Sequence, residues 1–176
     1  MFREIPVPPV VVPVAAAIFL LLLWHLHSRG RLSVPRAAVA LALCVYVAGV
    51  VANTVFPIYL DKPGPGAPWK VYLVPFAHYE VGDAVMNILV FVPVGILVPL
   101  LMARASWWRV VAVAAAFSLV IELAQLVTGH FLGGGHVADV NDLLFNVVGG
   151  VLGFGLFSAL SRVPAAASLI DRFRWR

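Results

Sequence analysis

Residues Ser118 to Gly153, SLVIELAQLVTGHFLGGGHVADVNDLLFNVVGGVLG, place Glu122 and Gln125 near the end of one apolar run and Asp142 and Asn146 at the start of the next. At helical spacing Ser118, Glu122 and Gln125 share one face, and Asp142, Asn146, Gly149 and Gly153 share another. The loop from Thr128 to Val140 is short, so the two helices are expected to be antiparallel neighbours, with Glu122 and Asn146 touching or sharing a partner. Gly149 and Gly153 form a small-xxx-small pair that lets these helices approach closely. Unsatisfied polar groups in hydrocarbon cost several kcal/mol on the order quoted for such groups, and ionisable ones there mark functional sites by default.

The rest of the chain is apolar enough to hold such a pair in a bilayer. Of 176 residues, 62% are hydrophobic and 11% charged, with a mean hydropathy of +1.01. That balance belongs to an integral membrane protein. Long aliphatic runs without two-residue alternation favour a helical bundle over a barrel. Cys44 is the only cysteine, which excludes an intrachain disulfide and a thiolate metal cluster. The basic residues flank the apolar runs, as topology signals do, so the net charge of +4 implies no nucleic acid partner.

Five spans are expected, from about Val7 to Leu26, Ala37 to Phe56, Asp83 to Met102, Trp107 to Thr128 and Val140 to Leu160. His25, His27, Arg29, Arg31 and Arg36 close the first run as they close a retained helix, not a cleaved signal. The Pro- and Gly-rich Asp61 to Gly66 reads as a turn. The aromatic segment from Trp69 to Glu80 suits the headgroup level. A kink is expected near Pro93, and the tail from Ser161 to Arg176 is a basic, aromatic end suited to an anionic leaflet. The fold class is therefore an all-α integral membrane protein, one domain over residues 1–176 with five transmembrane helices. Placing the N-terminus outside and the C-terminus inside puts nine Arg and Lys residues inside against three outside. Glu122 then lies about 9 Å below Thr128 and Asn146 about 6 Å below Asp142. Asn87 enters from the same side, which makes one polar pocket opening outward.

Three ordered motifs carry a resemblance. Asn87 to Gly95 reads NxxxFxPxG, Ser118 to Gln125 reads SxxIExxQ, and Asp139 to Gly150 reads DxxDxxxNxxGG, while Leu73-Val74-Pro75-Phe76 is similar to an NxxPF segment without its Asn. Over about Asn53 to Leu160 the chain resembles the VanZ-like membrane proteins. The resemblance implies a multi-pass protein of the bacterial cytoplasmic membrane, related to a protein associated with resistance to teicoplanin-type glycopeptides, and implies no particular reaction. Where the family commonly has Arg, this chain has His136, which when neutral cannot hold an anion in a bidentate fork.

The candidate site comprises Glu122 and Asp142 as the chemically active pair, with Asn87, Ser118, Gln125, His136, Asp139 and Asn146 around a ligand. Its partners would be membrane lipids, and its ligand a lipid-linked cell-wall intermediate or a lipoglycopeptide. The alternative is an intramembrane enzyme acting on a lipid headgroup, with Glu122 as general acid or base. Each residue also has a structural reading. Glu122 serves equally as a polar clasp between helices, and Asp139 as the N-cap of a helix whose dipole stabilises Asp142. His130 and His136 read as exposed loop residues. His130, His136, Asp139, Asp142 and Glu122 are metal-ligand types without a fixed ligand spacing, so no metal is assigned. No GxSxG, P-loop or dinucleotide fingerprint occurs, and no cofactor is expected.

Overall fold

The computed structural model describes residues 3–59, 71–77, 79–131 and 138–175. The expected turn from Asp61 to Gly66, the Gly133-Gly134-Gly135 run and His136 lie outside the described residues. The described helices are α1 (Val7–Ser28), α2 (Val34–Thr54), α3 (Val81–Leu101), α4 (Trp107–Phe131), α5 (Val140–Leu160) and α6 (Pro164–Phe173). The first five are long and apolar enough to cross a bilayer, which makes the chain a multi-pass membrane protein. Apolar side chains face outward along them, as on α1, where Leu20 is 63% and Trp24 69% exposed. Such surfaces suit lipid, not water.

Local chemistry sets the helix ends. Prolines occupy the first turns of α1, α2 and α6, where a missing N–H breaks no intrahelical bond. Asp139 caps α5, its side chain accepting from the Asn141 N–H at 2.8 Å. Asn53 and Thr54 in the polar last turn of α2 bond back to the carbonyls of Gly49 and Val50. α3 continues as one helix through Pro93 and Pro99.

The closest helix pair differs from the expected one. The glycines of α5 pack mainly on α3, not α4: a methyl group at Gly149 would strike the Ile88 carbonyl, and one at Gly153 the Val92 carbonyl. Each step of four on α5 matches a step of four on α3, so these helices run parallel. Gly150 and Gly155 face α4 instead, beside Ala114 and Trp107. α4 does pack on α5 as an antiparallel neighbour, with Ser118 meeting Asn146 and Ala114 meeting Gly150. Phe91, Val94 and Val98 of α3 meet Val110, Ala114 and Ile121 of α4, Phe154 of α5 and Val50 of α2 in the core.

Two further features lie at opposite ends. A two-stranded parallel sheet pairs β1 (Val71–Tyr72) with β2 (Ala138–Asp139), tying the segment before α3 to the start of α5. At the other end, α6 and the tail dock on the bundle. Trp175 donates its backbone N–H to the Leu100 carbonyl at 2.9 Å, and Arg36 donates to the Arg174 carbonyl at 2.8 Å. The tail expected to meet a leaflet thus also closes the helix ends.

Candidate functional site

The start of α5 organises the site. Its cap residue Asp139 belongs to β2 and donates its own backbone N–H to Glu122 Oε2 of α4 at 2.9 Å. Two residues on, Asn141 is 1% exposed. Its Oδ1 accepts the Phe76 N–H at 2.6 Å, and its Nδ2 donates to the Ala77 carbonyl at 3.1 Å. Phe76 has φ +60°, a left-handed conformation that is rare for an aromatic residue. The two bonds from one buried amide hold it there.

At the adjoining residue, Asn87 of α3 donates Nδ2 to Asp142 Oδ1 at 2.5 Å. Asn146 donates Nδ2 to Ser118 Oγ of α4 at 2.9 Å, and both residues are buried. Asp142 and Asn146 thus tie α5 to α3 and α4 through side chains, and the Asp139 N–H at its cap adds a bond to Glu122 of α4. The expected link between Glu122 and Asn146 takes another form. Glu122 accepts from the Asp139 backbone N–H at the start of α5, and Asn146 donates to Ser118. The two side chains instead border the same space.

That space is a cavity of about 550 Å³ between α2, α3, α4 and α5. Its polar wall includes Asn87, Glu122, Gln125, Asp142 and Asn146, and its outer rim includes the exposed Val45, Met86 and Val90. Among the described residues, Gln125 Oε1, Asn146 Oδ1 and the Tyr46 hydroxyl, all buried on its wall, have no hydrogen-bond partner. Such atoms are expensive to leave dry, and water in the cavity would satisfy them. A second recess of about 240 Å³, bordered by Tyr72, Tyr79, Glu80, Asp83, Asp139 and Asp142, shares Asp142 with the first.

Of the sequence candidates, Asn87, Glu122, Gln125, Asp142 and Asn146 converge on the cavity. Ser118 lies behind Asn146, Asp139 borders the acidic recess, and His136 is outside the described residues. Among the described residues no group of three His, Cys, Asp or Glu is placed to hold a metal ion. Sequence reasoning passed over Asn141 and the α2 wall of Tyr46, Asn53 and Thr54. A tyrosine mid-span and a polar last turn were the available signals on α2. Asn141, at a variable position of the motif between Asp139 and Asp142, carried no signal of its own.

The arrangement offers hydrogen-bond acceptors and two carboxylates inside an apolar shell. No curated protein and no solved structure matches this chain. The family description VanZ/LLP1 matches residues 14–161, beginning within α1 and including the whole cavity wall. Its reach over all five long helices, together with the buried motif residues that join α3, α4 and α5, shows that the chain belongs to the VanZ/LLP1 family.

Proposed function

We propose that this chain is a multi-pass protein of the bacterial cytoplasmic membrane that binds an envelope amphiphile, a lipid-linked wall intermediate or a lipoglycopeptide, by its head group. The carrying observation is the cavity itself, a largely apolar space with Asn87, Glu122, Gln125, Asp142 and Asn146 on its inner wall and the exposed Val45, Met86 and Val90 on its rim. A chain can lie along that rim while the head group reaches the unpartnered oxygens inside. With the N-terminus outside, the cavity opens to the outer leaflet, where such ligands are met. Family membership and the resemblance to relatives tied to teicoplanin resistance support the envelope setting. Lipid extraction after purification in native nanodiscs tests this reading. We expect one amphiphile enriched over bulk lipid, and lost from Gln125→Leu. Identical lipid profiles for both proteins, with no change in host teicoplanin sensitivity or wall-precursor pools, would remove its support.

A second reading is favoured by the fixed carboxylate of Glu122. The Asp139 N–H orients it toward a space that Asp142 also borders, as a general acid or base acting on a lipid head group requires. Glu122→Gln keeps an oxygen for the Asp139 N–H. A fall in turnover of a lipid-linked substrate by about 10²–10⁴-fold would establish catalysis. Equal turnover by the variant would leave Glu122 as a clasp.

A further inference from the structure

We propose that the head group taken by this cavity is a primary ammonium, a refinement that rests on the binding reading above. The argument begins at Asn146, which is 4% exposed. Its Nδ2 is engaged by Ser118 Oγ, so its unpartnered Oδ1 is the end left for a ligand. Gln125 Oε1 and the Tyr46 hydroxyl are likewise buried without partners on the same wall. Each of these oxygens accepts a hydrogen bond.

Two carboxylates, Glu122 and Asp142, border the same space, each engaged through one oxygen by a single donor. A carboxylate offers about four acceptor sites, so both retain capacity. Among the described lining residues none is Arg, Lys or His. The start of α3 carries Asp83 in its first turn, and the start of α5 carries Asp139 and Asp142. The chain's own acids therefore already answer the positive ends of both helices. The adjoining recess adds Glu80 and Asp83 and meets the cavity at Asp142, which gives a negative approach to a negative site.

Ligand chemistries are separated by what they bring. A phosphate would find donors in the Tyr46 hydroxyl and the side-chain amides, but its charge would repel that of the two carboxylates. A hydroxyl would satisfy one oxygen and leave both carboxylates uncompensated. A quaternary ammonium carries charge but no donor for the amide oxygens. A primary ammonium has three donors and no acceptor, and its charge opposes that of the carboxylates. An aminosugar and an ethanolamine head group both present this group.

The test uses protein in phosphatidylcholine nanodiscs, titrated with dodecylamine, N-acetyldodecylamine, dodecanol and dodecyl phosphate, with protein-free discs subtracted. Saturable binding of dodecylamine is expected, weakened roughly tenfold or more by acetylation and by Glu122→Gln. Tyr46→Phe, which removes an unpartnered oxygen and no existing bond, should weaken it without disturbing the fold. Displacement by lysophosphatidylethanolamine or by an alkyl 2-aminoglucoside then identifies the source of the ammonium. If the acetylated, alcohol or phosphate probe binds as tightly as the amine, the ammonium inference is overturned while the binding reading stands. If none of the four binds saturably, both are overturned.

Discussion

At the residue scale, Asn141 shows how a buried amide does work that composition hides. Its Oδ1 and Nδ2 satisfy two backbone groups of another segment, the Phe76 N–H and the Ala77 carbonyl. Its own N–H goes to the cap oxygen of Asp139. Asn141→Leu keeps the volume and leaves two backbone groups without partners, each worth about 1–3 kcal/mol when buried. We expect a lower apparent melting temperature in detergent and faster proteolysis within residues 71–77. An unchanged cleavage rate there would mean that β1 pairing alone holds the segment. The Asn146–Ser118 bond is a milder case. Coupling energies of this kind in membrane helices average about 0.6 kcal/mol, so Ser118→Ala should cost little stability. Its sharper effect would be on ligand binding, through a released Asn146 amide.

At the element scale, the glycines explain why α5 lies where it does. A methyl group at Gly95 would collide with the backbone of Gly150 and Phe154, and backbone cannot swing aside as a side chain can. By contrast, Gly49 and Gly82 have nothing within 4 Å of an added Cβ. Gly95→Val should therefore abolish monodisperse protein on gel filtration, whereas Gly49→Ala and Gly82→Ala should purify like the parent. Equal behaviour of all three would show that α3 and α5 separate readily. The five helices were legible because apolar run length alone defines a span, and the observed ends fall within a few residues of the expected ones. The polar residues were legible because Glu122, Asp142 and Asn146 are anomalous in apolar runs. What could not be read was which face met which neighbour. Spacing placed Gly149 with Asn146 on one side of α5, yet one packs on α3 and the other bonds to α4. That division depends on how three helices share a groove, a long-range matter. Asn141 was missed for a related reason, since its partners lie more than 60 positions earlier in the chain.

At the scale of the whole molecule, charge separates the two ends of the bundle, and the tail makes that separation structural. Arg31 donates to the Trp175 carbonyl at 3.0 Å, the Trp175 indole donates to the Arg36 carbonyl at 3.2 Å, and the Arg174 guanidinium lies 5.5 Å from the Phe157 ring centre. The α1–α2 turn, the end of α3, the end of α5 and the tail thus gather at one end. With Arg104 between α3 and α4 and Arg109 in the first turn of α4, that end is rich in arginine. The opposite end carries Glu80, Asp83, Asp139 and Asp142 with the cavity mouth. Loops rich in Arg and Lys stay in the cytoplasm because translocating them against the membrane potential is unfavourable. The acidic end, and the cavity with it, should therefore face outward. Cysteines placed at exposed Val74 and Val163, 66% and 50% accessible, in a Cys44→Ser background report this directly. An impermeant maleimide applied to intact cells should label position 74 alone, and permeabilisation should add position 163. The reverse pattern would turn the cavity toward the cytoplasm, where a ligand of the outer leaflet could not reach it, and the proposed binding role would fail with the orientation.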